Sequence, residues 1–148
     1  MNILVTLNRG YLYQLCVMLS SLIKSNPDTE FDVYVMNASL TEADFEAVRQ
    51  RIPADKCRLI DIKTGENEFA DAPITDRYPR EMYFRIFAAK YLPESLDRIL
   101  YLDPDIVVLG SVKELYETRL DGYYYAAASH VNEVMRMINK IRLGMDDE

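Results

Sequence analysis

Two carboxylates one residue apart, Asp103 and Asp105, lie within Arg98 to Gly110, R-I-L-Y-L-D-P-D-I-V-V-L-G, an apolar strand pattern that ends on the pair and resumes as a second apolar run. On an extended backbone, residues two apart share a face, with Cα atoms about 6–7 Å apart, so both carboxylates are expected to face one site. Pro104 stiffens the pair, because its ring fixes its own φ and biases Asp103 towards extended conformations. At that separation the two charges repel by about 3 kcal/mol at an effective dielectric of about 20, a cost that a divalent cation turns into attraction. An oxygen-only pair suits Mg²⁺ or Mn²⁺, which take one or two protein carboxylates and complete their shells with water and phosphate oxygens. The chemistry expected is a metal–diphosphate site. The same three residues also fit a solvated turn in which Asp103 caps the next segment of chain, so the surrounding elements have to decide.

Those elements alternate. Asn2 to Asn8 reads as a strand, Arg9-Gly10 as a turn, and Tyr11 to Lys24 as an amphipathic helix broken at Asn26-Pro27-Asp28. Phe31 to Met36 reads as a second strand. Thr41 offers an N-cap, with Asp44 at the third helical position, for a helix to about Arg51. Cys57 to Ile62 is a third strand, followed by a polar, acidic segment from Lys63 to Arg77 that is long for a strand-to-helix connection. Pro79 suits the first turn of a helix that runs to Pro93, and the carboxylate strand comes fourth. Strand alternating with helix predicts an α/β fold: a mostly parallel sheet with helices on both faces. Such sheets bind ligands beyond the carboxyl ends of their strands, where strand order reverses. Asn8 to Tyr11 and Asp103 to Asp105 both stand at strand carboxyl ends and so can converge on one crevice. Beyond it, Ser111 can cap a short helix, Tyr123 to Ala128 reads as a strand, and Asn132 to Leu143 as a last helix.

At 148 residues, about half of them apolar, the chain reads as one domain, 1–148, able to bury a core. A formal charge of −7 argues against nucleic acid or an anionic membrane surface as a partner. Cys16 and Cys57 are far apart, without metal-ligand spacing, and are expected to be free thiols, which favours a reducing compartment. The apolar run Leu12 to Ile23 is too short and too polar for a transmembrane segment and is preceded by no basic leader.

Y-F-R-I-F-A-A-K-Y-L-P, residues 83–93, followed by D-R-I-L-Y-L-D-P-D-I-V-V-L-G-S-V, is far more specific than a lone Asp-x-Asp. With these motifs in place the whole chain resembles the nucleotide-binding part of glycosyltransferase family 8, the group of the bacterial lipopolysaccharide galactosyl- and glucosyltransferases and, more distantly, glycogenin. The resemblance implies a Rossmann-like nucleotide-diphospho-sugar transferase fold. It also implies retaining transfer of a hexose from UDP-glucose or UDP-galactose to a saccharide or glycolipid acceptor, with Mn²⁺ or Mg²⁺ bridging the diphosphate to Asp103 and Asp105. Thr6, Asn8 and Tyr11 match the segment that holds uridine, with Tyr11 placed to stack on the base. The family often has an acidic residue where Asn8 stands and a polar one where Gly10 stands; an Asn amide can still bond the uracil edge.

Arg85 matches the family's basic residue near the donor. Independently, a guanidinium inside a mostly apolar helix needs a partner, which the diphosphate, Asp103 or both can supply; the plainer alternative is an arginine snorkelling to the surface. Tyr123 to Ser129 resembles the strand that floors the donor-sugar pocket, its three tyrosines expected to be core and edge packing. His130 takes the place of an acidic sugar-contacting residue, or is a structural or surface histidine. The family completes its site with later segments that include a C-terminal histidine ligand, so the fold is expected in truncated form, with some self-association. The implied location is the cytoplasm, with contact at the inner membrane face made through the later part of the family's chain. Two rival readings use the same carboxylates. In a haloacid-dehalogenase-type Mg²⁺ phosphatase Asp103 would be the nucleophile and Asp105 the general acid, and a binding module would hold the nucleotide-sugar without turnover.

Overall fold

The computed structural model describes residues 1–65, 69, 80–128 and 137. The chain divides into two compact units, Met1–Glu117 and Thr118–Glu148.

In the first unit four strands form one parallel sheet: β1 (Asn2–Thr6), β2 (Phe31–Asn37), β3 (Cys57–Lys63) and β4 (Leu100–Tyr101), in the order β3-β2-β1-β4. β1 is flanked on both sides, Ile3 lying level with Val33 and with Leu100. A central strand covered on both faces has no polar side, which is why Ile3, Leu4 and Val5 are all buried. Their parity sorts them into two layers: Ile3, Val5, Val33 and Val35 pack on one face, Leu4, Tyr34 and Met36 on the other.

The first face is covered by α1 (Leu12–Ser25) and α2 (Glu42–Arg49). α1 buries Leu15, Met18, Leu19 and Leu22, the stripe of a helix with one apolar side. Its start tightens into a 3-10 turn at Arg9–Tyr11. α2 begins in a capping box: Thr41 accepts from the Asp44 amide while the Asp44 carboxylate accepts from the Thr41 amide. The 108–112 stretch is fastened to α1 by polar hooks. Ser25 Oγ donates to the Val108 carbonyl (2.9 Å), Ser21 Oγ accepts from the Val108 amide (3.0 Å), and buried Asn26 accepts from the Val112 amide (3.0 Å). The second apolar run therefore leaves the sheet after Tyr101 and tracks along α1 instead.

The other face departs from expectation. In place of one long helix to Pro93, α3 (Glu81–Phe84) gives way to a 3-10 segment, Arg85–Lys90, with Phe87 out of helical geometry at φ −112°, ψ 20°. Arg85 Nε donates to the Met82 carbonyl at 2.9 Å, a carbonyl that a continuing α-helix would offer to the Ile86 amide. A side chain inserted into the ladder is a recognised cause of a kink. Pro79 and most of the segment from Lys63 to Arg77 lie outside the described residues. α4 (Lys113–Tyr116) is short, and Ser111 Oγ accepts from its first amide at 3.2 Å.

Both cysteines are free thiols; burial pushes the Cys57 thiol up to about 12. Among the described residues no helix is long and apolar enough to cross a membrane.

In the second unit Asp121 and Gly122 have positive φ, 45° and 93°, and form a turn braced by an Arg119–Asp121 ion pair at 2.9 Å. The strand expected from Tyr123 to Ala128 does not form: among the described residues, 123–128 pair with no strand, and Tyr123, Tyr124 and Tyr125 are exposed instead of packed. Apolar composition supplies strand propensity, but the strand exists only if another backbone pairs with it. Ser129, His130 and the helix expected over Asn132 to Leu143 fall outside the described residues, apart from Met137.

Candidate functional site

Strand order turns at β1, with β2 on one side and the late-arriving β4 on the other. At the carboxyl ends of β1 and β4, where such a sheet opens a crevice, lies a cleft of about 420 Å³. Thr6, Asn8 and Tyr11 line it from the β1 side, Asp103 and Asp105 from the β4 side, and Arg85 from the kinked segment. Six of the seven residues singled out in the sequence therefore meet in one cleft. The seventh, His130, lies outside the described residues.

The β1 rim is built by local hydrogen bonding. Asn8 caps the 3-10 turn, its Oδ1 accepting from the Gly10 amide at 3.0 Å. A Cβ on residue 10 would stand 3.2 Å from that oxygen, so glycine leaves room for the cap. The cap engages the Asn8 oxygen in the turn and leaves its NH₂ group as an available donor. Arg9 turns away from the turn, its Nε donating to Asp44 Oδ1 at 2.9 Å. Hydrogen bonds from Thr41, reinforced by Arg9, hold the Asp44 carboxyl below the usual carboxylate range. The rim that carries Asn8 and Tyr11 is thus tied to the α2 cap.

The β4 rim corrects one geometric expectation. β4 ends at Tyr101, and Pro104 and Asp105 form a turn, so the two carboxylates are not successive same-face residues of an extended strand. They nonetheless border the same cleft, with buried Pro104 as the pivot between two exposed aspartates. Both alternatives are partly present: a turn, and a pair of carboxylates at one site.

Arg85 does not snorkel to the surface. Its Nη1 lies 3.2 Å from Asp103 Oδ1, and its guanidinium carbon sits 4.7 Å from the centre of the Tyr101 ring. Tyr101 donates its hydroxyl proton to the same Asp103 oxygen at 2.6 Å and lies 3.3 Å from Thr6 Oγ1. Burial, followed by the bond to Asp103, raises the Tyr101 phenol to about 12, so it stays protonated as a donor. Thr6 is buried and turned towards Tyr101.

Sequence reasoning missed Tyr101 and Glu81, both of which line the cleft. Each had a signal. Tyr101 is two residues before Asp103, the spacing of a shared strand face, and Glu81 is four before Arg85, the spacing of a shared helix face.

The donor set fits a hard divalent cation. Asp103 and Asp105 supply carboxylate oxygens beside an open cleft, and among the described residues no partner bonds Asp103 Oδ2 or the Asp105 carboxylate. No cluster of three His, Cys, Asp or Glu side chains occurs among the described residues, so water and ligand oxygens would complete the shell.

Residues 2–144 match glycosyl transferase family 8. Among curated proteins, the chain is 28% identical over 140 residues to a lipopolysaccharide 1,2-glucosyltransferase of Escherichia coli, covering 95% of this chain and 40% of that protein. It is 28% identical over 120 residues to a lipopolysaccharide 1,3-galactosyltransferase of Salmonella typhimurium, covering 78% of this chain and 34% of that protein. The fold matches the galactosyltransferase LgtC, solved in complex with donor and acceptor sugar analogues, with a TM-score of 0.83 and 29% identity over 99% of this chain and 53% of that one. The chain thus spans about half the length of LgtC, and less of the two curated relatives.

Proposed function

The chain belongs to glycosyl transferase family 8, and from that premise we propose that it binds the donor and metal of a hexosyltransferase. The reaction would move a hexose from UDP-glucose or UDP-galactose, with retention, to a saccharide or glycolipid acceptor of the lipopolysaccharide type. In this reading residues 1–148 act as a nucleotide-sugar-binding domain, and the work is cytoplasmic, at the inner membrane face. The observation that supports it is the single cleft in which an anion-binding side, Arg85 with Asp103 and Asp105, faces a base-binding side, Asn8 and Tyr11.

Each side chain has a task that its setting allows. Tyr11 offers a ring for the base to stack on, and Asn8, its oxygen already used in the turn, offers its NH₂ to a uracil carbonyl. Asp103 and Asp105 would hold Mn²⁺ or Mg²⁺, and a cation there would neutralise the diphosphate and the charge that develops on it as leaving group. Arg85 is poised to exchange partners. Its contact with Asp103 is between side chains 35% and 50% exposed, and ion pairs so screened are worth at most about 1 kcal/mol. Turning the guanidinium towards a phosphate therefore costs little. Family membership removes the ground for a phosphatase with Asp103 as nucleophile.

Calorimetric titration of UDP with and without Mn²⁺ tests the reading. Cation and UDP should each bind weakly alone and each raise the other's affinity by the same factor. That factor should collapse in Asp103→Asn and in Asp105→Asn, while Tyr11→Ala weakens UDP and preserves the metal dependence. UDP affinity indifferent to Mn²⁺ and to EDTA would sink the metal–diphosphate assignment. Product formation from a UDP-hexose separates a transferase from a module that only binds.

A further inference from the structure

Tyr101 has no part in the donor-binding scheme, yet its hydroxyl is more tightly specified than packing requires. A phenol carries one proton, and an ionised carboxylate can only accept, so the 2.6 Å bond runs from Tyr101 to Asp103 Oδ1. The 3.3 Å contact with Thr6 Oγ1 must then run the other way, Thr6 donating to the phenol oxygen. The bonds form a directed chain from Thr6, the last residue of β1, through Tyr101, the last residue of β4, to Asp103. Arg85 Nη1 donates to that same Asp103 oxygen at 3.2 Å, and its guanidinium covers the Tyr101 ring. One carboxylate oxygen thus receives both protein donors. Among the described residues the other oxygen receives none.

We propose that Tyr101 is a positioning residue for the cation: its hydroxyl, itself oriented by Thr6, donates to Asp103 Oδ1 and so holds the carboxylate with Oδ2 free for a metal. The inference rests on the metal–diphosphate reading of Asp103. The physical ground is the exposure of Asp103, whose carboxylate would otherwise turn freely about its last torsion and lose that freedom each time a cation bound. A donor that fixes the carboxylate beforehand removes that loss, the part that partners of metal-bound side chains commonly play. Were Arg85 to turn to a phosphate, Tyr101 would remain, among the described residues, the donor on that oxygen.

Tyr101→Phe tests this, since it keeps the ring under the Arg85 guanidinium and deletes the hydroxyl alone. The readouts are Mn²⁺ affinity by electron paramagnetic resonance and the factor by which Mn²⁺ raises UDP affinity by calorimetry. Both should fall by about tenfold or more, the lower end of the range for losing an outer partner of a metal ligand. Binding of uridine, which has no phosphates for a cation to bridge, should stay as in the natural chain. Thr6→Val should lower the same factor less, and Thr6→Ser, which keeps the hydroxyl, should restore it. If the natural chain binds UDP without regard to Mn²⁺, the metal reading fails and takes this inference with it. If the natural chain shows the coupling and Tyr101→Phe keeps it in full, the inference alone is overturned. Equal losses for uridine and UDP in Tyr101→Phe would also overturn it, marking Tyr101 as a residue of the fold.

Discussion

On one face of the sheet, α1 runs fourteen residues with four buried side chains at helical spacing, and α2 starts in a complete capping box. On the other, α3 lasts four residues before a 3-10 segment, and the two together bury Phe84 and Ala88 while leaving Ile86 and Phe87 exposed. The regular face follows local rules: the apolar stripe of α1 and the capping box of α2 are both written in the sequence. The irregular face breaks them at Arg85, whose side chain takes a carbonyl from the helix ladder and reaches the cleft at the same time. Regularity holds the sheet together. The departure from it brings a cation to the carboxylates.

The largest effect expected from that contrast is on stability. Leu19 is fully buried, so Leu19→Ala should destabilise the first unit by about 2–5 kcal/mol, while Ile86→Ala on the opposite side should stay within about 0.5 kcal/mol. Urea unfolding monitored by circular dichroism measures both, and comparable losses would erase the distinction between the faces.

Next in size is a binding effect confined to the irregular face. Arg85→Ala should weaken UDP by about 1.5–3 kcal/mol, the range for hydrogen bonds to charged groups, and leave uridine almost unaffected. Calorimetry on the two ligands decides it. Equal losses would mean that the kink, with its bond to the Met82 carbonyl, matters to the cleft more than the charge does.

The smallest effect sharpens the comparison from the regular face, whose capping box also holds Arg9 of the cleft rim. Thr41→Ala should cost about 1 kcal/mol as a lost N-cap. Asp44 adds a pH signature. Its carboxyl is held below its ordinary value of 3.8, so its stabilisation is present above that pH and is lost as pH falls through the lowered value. The stability gap between the natural chain and Asp44→Asn should therefore be full at neutral pH and close in acid. Thermal melts across pH 2–7, roughly the span in which an aspartate titrates, would reveal it, and a gap that persisted in acid would deny the carboxylate that role.

The sheet was legible because its signals are local and redundant. Ile3 to Val5 and Val33 to Val35 read as strands by composition, and turn residues separate them from helices with evident stripes. The convergence of Asn8 to Tyr11 with Asp103 to Asp105 came from topology alone. The hidden features depended on single long-range contacts. Nothing local in Y-F-R-I-F-A-A says that Arg85 will bond the Met82 carbonyl, and propensity favours the straight helix. The apolar residues of Tyr123 to Ala128 promised a strand, but among the described residues no backbone pairs with them, and composition does not specify a pairing partner. Pro104 reads as a stiffener of an extended segment and is the pivot of a turn, since proline suits both conformations.

The pairing of β4 with β1 amounts to two residue pairs, Ile3 with Leu100 and Leu4 with Tyr101, and one further bond from the Leu102 amide to the Leu4 carbonyl. Short as it is, this ladder closes a very large loop. Thr6 and Tyr101 are 95 residues apart, whereas Met1 reaches Glu30 at the foot of β2 across only 29. Chain-closure entropy makes the first about 1 kcal/mol dearer than the second, with far fewer contacts in return. This sets an order of events during folding: β1, β2 and β3 can assemble with α1 and α2 as an early nucleus, and β4 docks onto it afterwards, carrying the aspartates with it. In the folded chain the same asymmetry makes the β1–β4 seam the expected place for the sheet to open first, and a ligand gripping both rims would act as a clasp that the strand pairing alone does not provide.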